Sequence, residues 1–202
     1  MNMSKSLSRI LVSFSFVLII IAAMATSSRA FGSGDKTPEE QAAENINKAI
    51  GKYNNGVKHM DKAKFYDHQS DSASAFNYRA TSQNKAIKEY DKAVKDFKDA
   101  IEMDSSMKEA FNNLGYCLRK TGKLDESLEA YNKALAIDSL FDLAREYRGE
   151  LFLAMDDLEQ ARTEMEFLRQ MESPYADILM LSINFYILNQ ADKTMRKTHG
   201  EQ

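Results

Sequence analysis

Residues 108–141 read KEAFNNLGYCLRKTGKLDESLEAYNKALAIDSLF, and this stretch decides the fold. Its apolar and small residues recur three and four positions apart on both sides of Gly122, a spacing that places them on one face of a helix. Gly122 lies between the two patterns, and glycine is common where a helix ends. The stretch therefore predicts two amphipathic helices that form a hairpin.

A doublet of an acidic residue and a serine returns at a constant interval along the chain. It is Asp104-Ser105, then Asp138-Ser139, then Glu172-Ser173. The helix before each doublet has small or apolar residues at the same three offsets: Ala93, Phe97 and Ala100; Ser127, Tyr131 and Ala134; Ala161, Met165 and Leu168. A 34-residue period with a helix–turn–helix in each unit is typical of stacked helical repeats.

This pattern resembles the tetratricopeptide repeat, over roughly residues 86–190. The second unit, residues 142–173, has Arg145 and Arg148 where the resemblance asks for an aromatic residue and a leucine. The small residues are expected where two helices approach most closely, and the aromatic residues between neighbouring helices. The residues expected to pack the repeats are Phe111, Leu114, Gly115, Gly122, Tyr131, Ala134, Gly149 and Ala161.

The rest of the chain extends an all-α architecture, and the resemblance implies a short right-handed helical-repeat solenoid. The final helix leaves little polar face, so we expect it to pack under the N-terminal hairpin; the alternative is an exposed apolar patch. A first turn is expected near residues 67–74, where large apolar residues are missing. The predicted segments are a linker at 31–37, a long N-terminal helical hairpin at 38–105 that is an expanded or degenerate repeat, two tetratricopeptide-like repeats at 106–173, a C-terminal capping helix at 174–190 and a polar tail at 191–202.

Residues 1–30 have the features of a secretory signal peptide. Lys5 and Arg9 precede an apolar run at residues 10–25, and Ser28-Arg29-Ala30 places small residues at the two positions that a signal peptidase reads. We expect cleavage after this site and export, to a bacterial periplasm. The alternative is an uncleaved membrane anchor, although the run is shorter than the ~20 residues that usually span a bilayer.

Composition argues against several classes of function. Beyond residue 30 the chain carries 24 basic and 30 acidic residues, a net charge of −6, so a nucleic-acid partner is not expected. His59, His68 and His199 lack metal-ligand spacing, and no glycine-rich phosphate loop is present. Cys117 is expected to be a small buried hydrophobe, a reactive or intermolecular thiol being the alternative. We expect no enzyme activity, no metal and no cofactor.

Protein binding is the class of function that remains. The resemblance implies that the inner faces of the first helices form a groove for a partner protein or peptide. By position in the repeat, the groove residues would be Asn112, Tyr116, Arg119, Lys120, Glu146, Glu150 and Leu153. The alternative is a plain solvated surface. One subfamily grips a C-terminal carboxylate, but Glu146 and Glu150 stand where that grip needs cationic or amide groups.

Two functions stay open at this point. The main hypothesis is a non-enzymatic periplasmic scaffold or adaptor that binds a partner protein or peptide in the groove. The second is a structural subunit or assembly factor of a cell-envelope complex, which the apolar last helix or an uncleaved N-terminal helix would hold in place. A membrane contact is expected only if the N-terminal segment is uncleaved.

Overall fold

The computed structural model describes residues 36–72 and 76–199, and over these residues the chain is helical, with no strand. The all-α class is therefore confirmed for this part of the chain. The predicted signal peptide at 1–30 and residues 31–35 of the linker lie outside the described residues. Seven helices are described: α1 (Pro38–Asp71), α2 (Phe76–Met103), α3 (Lys108–Lys120), α4 (Leu124–Ile137), α5 (Asp142–Ala154), α6 (Leu158–Gln170) and α7 (Tyr175–His199).

Helices α1 and α2 lie where the sequence predicts a long N-terminal hairpin. Helix α1 continues to Asp71, into the region expected to form the turn. A buried carboxylate on α2 joins the two helices: Glu89 lies 2.7 Å from His59 Nδ1 and accepts hydrogen bonds from Lys62 and Lys92 at 3.0 Å. Burial alone would raise the pKa of Glu89, but the donors from His59, Lys92 and Lys62 outweigh it and lower the pKa to about 2. Glu89 is therefore ionised at neutral pH and clamps α1 to α2.

Two glycines allow an aromatic ring to pack directly on a helix backbone. A Cβ atom at Gly115 would lie 2.8 Å from Tyr131 Cε1, and a Cβ atom at Gly56 would lie 2.7 Å from Phe97 Cε1. Both rings are fully buried, so only glycine fits at these two positions. Gly115 and Tyr131 are close in sequence, whereas Gly56 and Phe97 are much further apart. The N-terminal hairpin thus has the same glycine–ring contact as the first repeat, but a longer stretch of chain separates its glycine from its ring.

The other packing residues of the first repeat join α3, α4 and α5. Ala134 and Ala144 are fully buried in one cluster, and Phe111 packs against it. Leu114 is buried in a second cluster that continues into α2. Gly122 has a φ of +78°, in the left-handed region that favours glycine, and this conformation lets the chain turn from α3 into α4.

The second repeat packs differently from the first. Gly149 is expected where two helices approach most closely, and it does lie at a close contact, which is with Leu179 of α7. Ala161 is fully buried in a cluster that joins α6 to α7. On the α6 side, the contact is ionic: Glu164 is buried and pairs with Arg145 at 3.2 Å and with Arg148. The Arg145 guanidinium also lies 3.5 Å from the centroid of the Phe167 ring.

Helix α7 differs from the expectation in two respects. It runs to His199, so residues 191–199 of the predicted polar tail are helical. An ion pair between Asp192 and Arg196 at 2.9 Å, one helical turn apart, supports this extension. The expectation that α7 packs under the N-terminal hairpin is wrong, because Leu181, Phe185 and Leu188 are each more than 60% exposed.

Candidate partner-binding face

Tyr116 of α3 is the centre of a half-buried aromatic surface formed by alternate helices. Its ring centroid lies 6.0 Å from that of Tyr90 on α2 and 5.2 Å from that of Tyr147 on α5. Two cations approach the same ring: Lys64 Nζ of α1 is 4.7 Å from the centroid and Arg119 Cζ is 5.5 Å from it. These distances are those of aromatic pairs and cation–π contacts. Helices α1, α3 and α5 therefore meet at one side chain.

Ion pairs continue this surface on both sides of Tyr116. Arg119 donates to Glu150 Oε2 at 2.5 Å, and Ser182 of α7 lies 3.5 Å from the other oxygen of Glu150. On the opposite side, Lys120 pairs with Asp67 of α1 at 2.7 Å. We call the surface formed by Lys64, Tyr116, Arg119, Lys120, Tyr147 and Glu150 the Tyr116 face. Arg119 pairs with Glu150 within this face and Lys120 pairs with Asp67 beside it, so a partner would meet an aromatic centre between two ion pairs, with the Lys64 ammonium over the Tyr116 ring.

The predicted groove residues divide into two groups. The structure brings Tyr116, Arg119, Lys120 and Glu150 together in the Tyr116 face. Asn112 and Glu146 are 1% and 3% exposed, and Leu153 packs against the cluster between α6 and α7. Direct contact of a partner with Asn112 or Glu146 would require the helices to move, whereas Leu153 is only partly buried. Their part in binding remains a prediction.

Asn112 and Glu146 occupy equivalent positions in consecutive repeats, and both are buried acceptors. Asn112 Oδ1 has no hydrogen-bond partner among the described residues. Burial raises the pKa of Glu146 to about 8; the negative charge of Glu150 adds to this effect, and Arg119 opposes it. The folded chain therefore holds Glu146 largely protonated at neutral pH. A neutral Glu146 leaves Arg119 free to pair with Glu150 alone.

Lys64 and Tyr147 are not among the groove residues predicted from the sequence. Lys64 lies in the expanded hairpin, where the 34-residue frame is interrupted and offers no equivalent position. Tyr147 is in frame with Asn113, which donates to the hydroxyl of Tyr53 at 3.2 Å. Both residues therefore face the neighbouring unit. The 34-residue offset from Asn113 was the signal in the sequence that could have identified Tyr147, although an aromatic residue stands there in place of an amide.

Other chemistry on the chain is sparse over the described residues. Cys117 is fully buried, and burial raises the pKa of its thiol to about 12, so it packs as a small apolar side chain. Within 36–72 and 76–199, no three metal-ligating side chains come together. None of the helices in this part of the chain has the length and apolar character needed to cross a membrane.

Comparison with known proteins agrees with this architecture. Residues 109–139, which contain α4 and all of α3 except Lys108, match the family model of the tetratricopeptide repeat. The match supports the assignment of this segment to the tetratricopeptide-repeat family. Proteins of this family generally mediate protein–protein interaction and are typically non-enzymatic.

The chain is also similar to two curated fungal proteins, both named small glutamine-rich tetratricopeptide repeat-containing protein 2. It is 36% identical to that of Saccharomyces cerevisiae over 90 residues, which are 45% of this chain and 23% of that protein. It is 29% identical to that of Mycosarcoma maydis over 104 residues, 52% of this chain and 29% of that protein. The chain thus spans about a quarter of the length of these relatives. Among solved structures, the Arabidopsis OM64 TPR domain aligns with a TM-score of 0.40 and 15% identity, covering 63% of this chain and 98% of that one.

Proposed function

We propose that the chain is a non-enzymatic scaffold or adaptor that binds a partner protein or peptide through the Tyr116 face. The observation that carries this proposal is the position of Tyr116, on the first helix of the segment that matches the tetratricopeptide repeat. Rings from α2 and α5 and cations from α1 and α3 converge on it. Tyrosine and arginine are the residue types that most often dominate binding energy at interfaces.

The charges of the Tyr116 face limit the kind of partner that fits. Arg119 is already paired with Glu150, and Lys120 with Asp67. An anionic C-terminal tail would compete with Glu150 for Arg119 and with Asp67 for Lys120, and Glu150 would repel it. A partner that lays an apolar or aromatic side chain on the Tyr116 and Tyr147 rings needs no such exchange. This is the partner chemistry that we propose.

Export to a bacterial periplasm is part of this proposal and rests on the sequence of residues 1–30. A basic start, a short apolar run and a small-x-small site support it. A processed protein is expected to begin at Phe31. The intact mass of protein purified from its native envelope measures this directly, and a mass that retains residues 1–30 would favour the uncleaved anchor instead.

A structural subunit or assembly factor of a cell-envelope complex is the second candidate function. One observation favours it: α7 exposes large apolar side chains that a permanent neighbour would cover. The two candidates differ in how long the partner stays bound. A stoichiometric complex that survives purification favours the subunit, and a ligand that dissociates on washing favours the adaptor.

Replacing Tyr116 by alanine is the test of the Tyr116 face. The Tyr116 ring is half-buried and its hydroxyl has no ion-pair role. Its removal should therefore disturb the fold less than removal of Arg119, which would leave Glu150 unpaired. We expect the affinity for a partner captured from envelope extracts to fall about 30-fold, as for a typical binding hot spot of about 2 kcal/mol. Affinity is measured by calorimetry once mass spectrometry has identified the captured protein.

The matched control is Glu129→Ala with Lys133→Ala, two exposed residues of α4. This pair should leave capture unchanged. Weaker capture by the control with normal capture by Tyr116→Ala would place the partner on α4 and contradict the proposal.

A further inference from the structure

Helix α7 has two apolar faces. Ala176, Leu179 and Ile183 are buried against α5 and α6. At 100° per residue, Ile178, Leu181, Phe185 and Leu188 lie on the opposite face, at spacings of three, four and three. These four side chains are 47%, 66%, 68% and 69% exposed. We call them the α7 stripe. A helix that is apolar on both faces is normally covered on both.

We propose that two copies of the chain associate through their α7 stripes as an antiparallel, two-fold symmetric dimer. This inference does not rest on the Tyr116 face, because no residue of the α7 stripe belongs to it. It assigns to a second copy of the chain the side chains that the envelope-complex alternative assigns to a permanent neighbour. A two-fold axis midway along the α7 stripe, near residue 183, places Ile178 opposite Leu188 and Leu181 opposite Phe185. Every large side chain of the α7 stripe then meets an apolar one. Such self-complementarity is what a symmetric dimer interface requires.

The charges of α7 select the antiparallel arrangement. Residues 178–191 carry no charged side chain, so the centre of the helix can be covered without burying a charge. Acidic Glu172 and Asp177 lie at the N-terminal end, whereas the C-terminal end carries three basic residues, Lys193, Arg196 and Lys197, against the single acid Asp192, which pairs with Arg196. Antiparallel pairing brings the acidic end of one copy near the basic end of the other. It also sets the two helix dipoles in opposite directions.

The distribution of basic residues favours a second copy over a lipid surface. Helices that lie on membranes carry Lys and Arg along the polar face that borders the apolar one. Beside the α7 stripe the polar residues are amides and a serine, including Ser182, Asn184 and Asn189. Basic residues come only after residue 192. Uncharged polar residues around an apolar centre are typical of protein interfaces.

The exposed area of the α7 stripe is of the size that a dimer needs. A phenylalanine buries about 150–250 Å² and an aliphatic side chain roughly 60–120 Å², so the exposed fractions correspond to roughly 200–400 Å² of apolar surface in each copy. Met195, seven residues beyond Leu188 and on the same side of α7, is also exposed and enlarges this area. A standard interface buries about 800 Å² per partner, of which somewhat more than half is apolar. The α7 stripe with its polar border matches the apolar part of such an interface.

Sedimentation of the full chain at increasing concentration tests the proposal. All 202 residues together have a mass of 22.9 kDa, and processing after residue 30 would lower it; we expect either form to approach twice its own monomer mass at tens of micromolar. The variant Leu181→Glu with Phe185→Glu places two like charges in each half of the interface and should raise the dissociation constant at least a hundredfold. The control Phe65→Glu replaces a phenylalanine of α1 that is 62% exposed and should leave the constant within threefold.

Two outcomes would overturn the dimer. One is a wild-type chain that stays monomeric at 100 µM; the other is a dimer that persists unchanged in the double variant, which would mean that another segment or face associates. Because all four side chains point into solvent, Leu181→Gln with Leu188→Gln serves as a second variant of milder effect. Far-ultraviolet circular dichroism shows that each variant keeps its helical content.

Spin labels on α7 test the orientation. In a chain with Cys117→Ala, a label at Met195→Cys should report a separation of about 36 Å along the axis between copies, from 24 residues at 1.5 Å each. A separation of about 10 Å, the distance between the axes of two parallel packed helices, would contradict the antiparallel arrangement.

Discussion

Replacing Glu164 by alanine is expected to lower the free energy of unfolding by about 2–4 kcal/mol. The carboxylate is buried, and it is the anion that Arg145 and Arg148 share between α5 and α6. The two arginine side chains are 13% and 19% exposed, so its loss leaves two charges in the interior without their shared carboxylate. Arg145 keeps the Ser139 carbonyl and the Phe167 ring, and Arg148 keeps Asn132 and the Phe152 ring. Urea denaturation followed by circular dichroism measures the change.

Glu166→Ala is the matched control on the same helix. Glu166 pairs with Arg169 at 2.9 Å, but both side chains are more than half exposed, and an exposed pair contributes about 0–1 kcal/mol. The control should therefore shift the unfolding midpoint only slightly. If Glu164→Ala and Glu166→Ala cost the same, the ionic contact between α5 and α6 does not stabilise the second repeat.

Replacing Glu146 by glutamine is expected to stabilise the chain at pH 8.5, by about 2–3 kcal/mol. Burial raises the pKa of Glu146 to about 8 in the folded chain, above its ordinary value of 4.5. Between these two values the folded state keeps a proton that the unfolded state has lost, so stability falls as the pH rises. Glutamine mimics the protonated carboxyl and removes this dependence. The gain should therefore shrink to below about 1 kcal/mol at pH 5.

Glu150→Gln is the control for this experiment, one turn further along α5. Glu150 accepts the hydrogen bond of Arg119, so removing its charge should destabilise the chain at pH 8.5. The two substitutions are therefore expected to act in opposite directions. A Glu146→Gln variant that is no more stable than wild type at pH 8.5 would show that its carboxyl is ionised without penalty.

The core of the first repeat could be predicted because its contacts are local. Gly115 and Tyr131 lie on the two adjacent helices of one hairpin, and the repeat period brings both into register with the neighbouring units. A glycine on one helix that packs against an aromatic ring of the next helix can be recognised in the sequence, because both residue types are unusual at their positions. The same period identifies Phe97, one repeat before Tyr131, but not its partner Gly56, because the longer helices of the hairpin interrupt the repeat period between them.

The second repeat was harder to predict because its substitutions compensate one another. In the 34-residue frame, Arg145, Arg148 and Glu164 stand where the first repeat has Phe111, Leu114 and Ala130. Each change alone indicates a degenerate copy of the repeat. Together, two cations and one anion at three contacting positions indicate a buried ion pair, and this was the signal available in the sequence.

The candidate site was only partly predictable for a different reason. The 34-residue repeat period predicts the helix face on which a residue lies, but it does not predict how deeply the neighbouring helices bury that residue. Asn112 and Glu146 are on the predicted face and yet are buried, whereas Tyr116 on the same face is half-exposed. The outer face of α7 was readable from the spacing of Ile178, Leu181, Phe185 and Leu188. Its exposure was not, because the sequence left open whether the hairpin covers it.

Hydrogen exchange of the chain with and without its captured partner tests the central claim, that the Tyr116 face is the binding surface. We predict slower exchange in the partner complex for the segments around Lys64 of α1, Tyr116 of α3 and Tyr147 of α5, and unchanged exchange around Glu129 and Lys133 of α4. Protection confined to α4 and α6, with α1, α3 and α5 unchanged, would contradict the account.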